Sequence, residues 1–173
     1  SFAGSGDAVL LDTEALSKGE VRELFRLERE PHDGLVVPVG SFALVTEPQD
    51  GGATDVVGHS SDGAEIGLRE PCVDAAGTIT TRVGAVIGCA DGALLAHVDA
   101  GELVVERIPY PEGTTGAVTS FDNREGRPTV AGLAGSTDIR LLDTRARTWT
   151  LLTAPTPLVH VTAVDDADGH LLA

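Results

Sequence analysis

Methionine is absent from the 173-residue sequence, even at its first position, and the chain reads as a processed or excised piece of a longer polypeptide. A missing signal peptide therefore carries no information about location. Basic residues are scarce, with 12 Lys and Arg against 27 Asp and Glu and a net charge of −15. A field of that sign repels phosphate backbones and anionic lipid, which argues against nucleic acid as a partner. No apolar run approaches the roughly 18 residues that a membrane-spanning segment needs. Large polar aromatics are limited to Tyr110 and Trp149, too few for an extended sugar-stacking groove. Catalytic and cofactor signatures are missing too. There is no Gly-x-Ser-x-Gly elbow, no HExxH and no close HxH, and Gly113-Thr114-Thr115-Gly116 opens no helix that could cradle a phosphate. Catalysis is accordingly not expected.

Glycine and proline are plentiful, at 21 and 9 residues, in keeping with many turns rather than long helices. The stretch from Cys72 to Pro109 shows one unit whole: TITTRV, AVIGCA, ALLAHV and LVVERI, separated at Gly84, at Asp91-Gly92 and at Asp99-Ala100-Gly101. Short runs rich in Val, Ile, Leu and Thr, bounded by Gly and Asp, predict a four-stranded antiparallel meander. Its second strand recurs as SFAG, FALV, AVIG, TVAG and HLLA at steps of about 41 to 44 residues, and the other strands recur around it. Leu10-Leu11-Asp12-Thr13 returns as Leu141-Leu142-Asp143-Thr144, and Arg29-Glu30-Pro31-His32 as Arg69-Glu70-Pro71-Cys72.

Four strands at this period are the signature of a β-propeller blade. The fold expected is all-β, a β-propeller fragment of about four blade-equivalents, with pieces at 1–30, 31–70, 71–109, 110–154 and 155–173 in a single partial domain. The weakest segment is 13–30, where Val21, Leu24 and Phe25 also fit a helical face. It is read as a turn at Ser17-Lys18-Gly19 followed by a strand.

Cys72 and Cys89 allow three readings: a disulfide, buried free thiols, or part of a metal site. Of the histidines, His32 is the best metal-ligand candidate, because it opens an inner strand beside Asp33. His160 lies within the inner strand LVHVTAV and is the second candidate. His59 and His97 read as surface residues, and His170 as a weak candidate near the end of the sequence. Asp165, Asp166, Asp168 and Gly169 resemble a calcium loop but lack a distal bidentate Glu, and read instead as a hairpin connection.

Pro31-His32-Asp33-Gly34 before a Val-Val-Pro strand, the spaced Cys72 and Cys89, and Gly88-Cys89-Ala90-Asp91-Gly92 resemble the AztD-type zinc metallochaperones. These are secreted β-propellers that pass zinc to the solute-binding protein of an ABC importer. The resemblance implies a propeller, a disulfide between Cys72 and Cys89, zinc as ligand, and an extracytoplasmic location. That location is the periplasm, the cell envelope or the medium, with a lipid anchor on the parent protein among the options. Two departures bear on the metal. Where the family places His-Gly-Glu after the first Cys, this chain has Ala76-Gly77-Thr78, and where it tends to carry adjacent histidines, this chain has His32 and Asp33. The leading expectation is a non-catalytic accessory protein for uptake of zinc or another solute. The alternatives are a propeller scaffold for protein binding and a propeller hydrolase.

Overall fold

Three four-stranded antiparallel sheets form the bulk of the chain, and each follows the order of the sequence. In the computed structural model, residues 1–49, 52–166, 169 and 171–173 are described, without the side chains of 49 and 52–54. The sheets are β3 (Val36–Val39), β4 (Phe42–Gln49), β5 (Gly52–Ser60) and β6 (Glu65–Pro71); β7 (Ala76–Thr80), β8 (Ala85–Cys89), β9 (Gly92–Asp99) and β10 (Glu102–Pro109); and β11 (Ser120–Asp122), β12 (Thr129–Ala134), β13 (Asp138–Asp143) and β14 (Thr148–Thr153). Two antiparallel pairs accompany them, β1 (Ala8–Leu11) with β2 (Glu23–Leu27) and β15 (Thr162–Ala163) with β16 (Leu171–Leu172).

Burial varies systematically across each meander. The second strand β8 is apolar on both faces and buried throughout, and the central residues of β4 and β12 are buried as well, because other chain segments cover both sides of the sheet there. Among the last strands, β6 and β14 are largely exposed and have no fully buried residue, whereas β10 buries Leu103 and Ile108. Turn chemistry sets the registers. Cys89 pairs with Gly92 across the Asp91-Gly92 connection, and a Cβ on Gly92 would stand 2.3 Å from the Ile108 carbonyl oxygen, so only glycine admits the neighbouring backbone there.

The chain divides into two compact units, residues 1–75 with 98–103, and residues 76–97 with 104–173. In the first, Phe25, Val37, Val39, Leu44, Val45, Val56 and Val57 are buried. The second holds a cluster of Val86, Leu95, Ile108, Val118, Phe121 and Leu142, with Trp149 packed against it.

Two local expectations need correction. Residues 1–4 form a turn, not a strand: Gly6 donates its N–H to the Phe2 carbonyl at 2.7 Å and Phe2 donates to Asp7 at 2.9 Å, so local bonds take the groups a ladder would use. Residues 13–17 form a short helix, α1 (Thr13–Ser17), which the reading of that segment did not contain. Asp12 caps it by accepting the N–H groups of Glu14 at 2.8 Å and Ala15 at 3.1 Å. The turn at Lys18-Gly19 and the following strand do occur as expected. Of the three residues that suggested a helical face, only Phe25 is buried, as the alternation of β2 requires.

Candidate functional site

In the first unit, the end of β2, the turn before β1 and the far part of β4 enclose a cleft of about 640 Å³. Its lining includes the carboxylates of Asp7, Glu28, Glu30 and Glu47 and one guanidinium, that of Arg29. Gly6 lets the N-terminal turn lie against this wall, since a Cβ there would stand 2.1 Å from the Arg29 carbonyl oxygen. Arg26 holds Asp7 at 2.8 Å, and Arg69 holds Glu47 at 2.6 Å, with Arg29 at 3.6 Å from the same carboxylate. The hydrogen bond from Arg69 keeps the Glu47 carboxyl below the ordinary Glu value, against the opposing effect of burial. Glu28 and Glu30 have no ion-pair partner among the described residues, so the lining is net acidic and favours a cation.

His32 sits behind this wall and is only 7% exposed. Its Nδ1 is 2.8 Å from the Glu30 carbonyl oxygen, which fixes the ring proton on Nδ1 in the neutral form. Nε2 then accepts from the Thr46 hydroxyl at 3.3 Å, and that hydroxyl in turn accepts the Leu35 N–H at 2.8 Å. Gly34 makes room for the ring, because a Cβ there would come within 2.2 Å of Nε2. The Pro31-His32-Asp33-Gly34 motif thus has a packing rationale as well as a chemical one. Asp33 is exposed and makes no hydrogen bond or ion pair among the described residues.

His160 belongs to the second unit, and contrary to expectation it lies outside a strand: only Thr162–Ala163 (β15) of LVHVTAV is extended in a ladder, and the Leu158 N–H goes to the Ser136 carbonyl at 2.7 Å instead. The His160 Nε2 lies 2.9 Å from Asp122 Oδ2, and both side chains are substantially exposed. Burial raises the Asp122 pKa, but the hydrogen bonds from His160, Thr162 and the Asn123 N–H outweigh it and leave the carboxyl below its ordinary value. His97 is half-buried, with Nδ1 at 3.8 Å from Glu106. His170 and Asp168 lie outside the described residues. Asp165 accepts from the Thr129 hydroxyl at 2.9 Å.

Cys72 and Cys89 are joined in a disulfide, and both are fully buried. Their sulfurs are therefore not thiolate ligands. Among the described residues, no three His, Cys, Asp or Glu side chains gather closely enough to hold a metal ion.

Sequence reasoning missed His59, which is 1% exposed and not a surface residue. Nδ1 faces the Gly63 carbonyl at 3.0 Å and the ring lies 6.2 Å from that of Phe25. The pairing of Arg29 and Arg69 with Glu47 was also missed, although a signal existed. The two arginines occupy equivalent places in the repeated Arg-Glu-Pro motif, and both converge on the same carboxylate.

No protein-family model matches the sequence, and no curated protein does so either. Solved structures do. The chain superposes on the structure of apo AztD from Citrobacter koseri with a TM-score of 0.82 and 22% identity, covering 94% of this chain and 47% of that one. A second crystal structure of Citrobacter koseri AztD gives 0.82 and 23% identity, covering 95% and 46%. The chain spans about half the length of these relatives. In fold it is therefore AztD-like, a divergent β-propeller fragment built of four-stranded antiparallel blades.

Proposed function

We propose that the chain is part of a non-catalytic, extracytoplasmic propeller that serves zinc uptake by passing the ion to the solute-binding protein of an ABC importer. The observation that carries this reading is the likeness in fold to AztD over 94% of the chain. Three features support it. A net charge of −15 and a cleft lined by four carboxylates attract a divalent cation. A buried disulfide suits an oxidising compartment. His160, held at Nε2 by Asp122, has the arrangement by which carboxylates orient metal-binding imidazoles, with Nδ1 left to donate to a metal.

In the first unit, His32 and Asp33 are proposed donors in their own right, separate from His160. For His32 to bind, Nε2 gives up its bond to Thr46, whose hydroxyl keeps an alternative acceptor in the Leu35 carbonyl at 3.5 Å. No three-ligand cluster is preformed among the described residues, and this favours a second reading, a propeller scaffold that binds a protein without metal.

Calorimetric titration of the chelator-stripped chain with zinc separates the two. The uptake reading expects saturable binding that weakens at least about tenfold, roughly 1.4 kcal/mol, in His32→Gln or His160→Gln. Absence of saturable binding, together with partner capture that is indifferent to chelator, would establish the scaffold instead.

A further inference from the structure

β6 is the last strand of its sheet, and its pairing with β5 is irregular. Arg69 pairs with Val57 and Glu65 with His59, so the four steps from Glu65 to Arg69 face only the two from Val57 to His59, and β6 bulges over residues 66–68. Gly67, at the centre of the bulge, takes φ of 77°, the left-handed region that glycine adopts without strain. Ile66 and Leu68 are thereby turned to the same side of the sheet: a Cβ built on Gly58 of β5 would stand 3.1 Å from each. Ile66 nonetheless stays 38% exposed.

Together with Phe42, Leu103, Gly101 and Glu102, these two side chains line an open groove of about 350 Å³, all of it within the first unit. Val98, 40% exposed, lies against Gly40 in the turn that leads to Phe42. Apolar side chains gathered around a groove, rather than scattered singly, mark an interaction site. Its rim is acidic. Glu102 is in the lining, Glu70 shares the face of Leu68 by the two-residue alternation of the strand, and Asp99 stands before the turn of Ala100 and Gly101. None of these three carboxylates has an ion-pair partner among the described residues. No Lys or Arg is in the lining, and the neighbouring Arg69 is held by Glu47 at 2.6 Å and Asp55 at 3.1 Å.

We propose that this groove docks a segment of a partner protein that seats one large apolar side chain against Phe42, Ile66, Leu68 and Leu103 and carries Lys or Arg beside it, facing Glu70, Asp99 and Glu102. The volume lies at the low end of the range for ligand pockets and suits a single large side chain. Unpaired carboxylates around an apolar seat supply the charge complementarity that selects a basic flank. The bulge and the charged residues of β6 protect its edge from strand addition, so the segment is read through its side chains and not as an added strand. A second copy of this chain is disfavoured, because it brings a net charge of −15 to a rim that is itself acidic. None of the residues proposed to bind zinc takes part, so the surface serves the uptake and the scaffold readings alike.

The test is to pan a random peptide library on the immobilised chain with chelator present, then to titrate the enriched peptide, labelled with fluorescein, by anisotropy. The expected consensus is a Leu, Ile, Phe or Met with Lys or Arg close to it in sequence, and an affinity that falls as salt rises. Ile66→Gln weakens binding at least about fivefold, and Glu102→Lys at least about threefold. Circular dichroism checks that both variants fold, and Glu102→Lys, at an exposed position, decides alone if Ile66→Gln does not. No enriched peptide, an acidic consensus, or binding indifferent to a folded variant of either position would overturn the assignment. A dimer in sedimentation that Ile66→Gln or Glu102→Lys dissolves would overturn it too, giving the groove to a second copy of the chain.

Discussion

The indole N–H of Trp149 donates to the carbonyl of Ile108 at 3.1 Å across a sequence separation of 41, one repeat length. Two residues earlier, Arg147 holds the Glu106 carboxylate through two bonds of 3.0 and 2.8 Å at the same separation. Adjacent sheets of the second unit are thus tied at equivalent positions by a neutral and a charged contact.

Trp149→Phe keeps most of the apolar contact with the cluster of Ile108 and Leu142 but leaves the Ile108 carbonyl without its donor. It should cost about 1–2 kcal/mol in denaturant unfolding. Trp149→Ala, which also opens a cavity beside Tyr110, should cost about 3–5 kcal/mol.

The Glu106 and Arg147 pair makes an acid-side prediction. The hydrogen bond from Arg147 lowers the Glu106 pKa in the folded chain below its ordinary value of 4.5. A carboxyl with a depressed folded pKa contributes stability above the unfolded pKa and loses it as pH falls through the folded one. The contribution should therefore be complete at neutral pH and fade below about pH 4.5. Both side chains are about a third exposed, so its size is on the order of 1 kcal/mol or less. Glu106→Gln should flatten the acid limb of a stability–pH curve and leave the response around pH 8 unchanged.

The packing around His32 makes Gly34 costly to replace. Gly34→Ala drives a Cβ to 2.2 Å from Nε2 and 2.6 Å from the Thr46 hydroxyl, and should cost about 1–3 kcal/mol. Thr46→Val strands both the imidazole and the Leu35 N–H and should cost about the same, measured by chemical unfolding.

Cys72 and Cys89 are both buried, so labelling by a thiol reagent after mild reduction should wait on unfolding. Replacing both with serine should lower stability by about 3 kcal/mol or more, since the crosslink constrains the unfolded chain and two hydroxyls would be buried in its place. Labelling of the native chain at the rate of a free thiol would contradict the burial.

The meanders were legible in the sequence because Gly and Asp punctuate each apolar run, and the echoes marked true structural equivalents. Asp12 and Asp143, from the repeated Leu-Leu-Asp-Thr, each accept the N–H groups of the second and third residues that follow. After Asp12 that turn extends into α1, whereas after Asp143 it closes at Arg147 with φ of 56° and returns as β14. A five-residue helix is too short to carry a hydrophobic period, which is why it was not read. His59 was misplaced for a comparable reason. Its neighbours Ser60-Ser61-Asp62-Gly63 do form a turn, but the turn closes between Ser60 and Ala64, leaving His59 as an inward residue of β5. The acidic cleft was beyond reach, because Asp7, Glu28 and Glu47 are far apart in the sequence and come together only in the folded first unit.

Zinc X-ray absorption on the chain, loaded with one equivalent of the ion and freed of excess by gel filtration, tests the uptake reading most directly. The predicted result is retained zinc with nitrogen and oxygen donors at about 2.0–2.1 Å, including imidazole scattering, and no sulfur shell, the cysteines being in a disulfide. Zinc that elutes with the salt, leaving the chain metal-free, would contradict it.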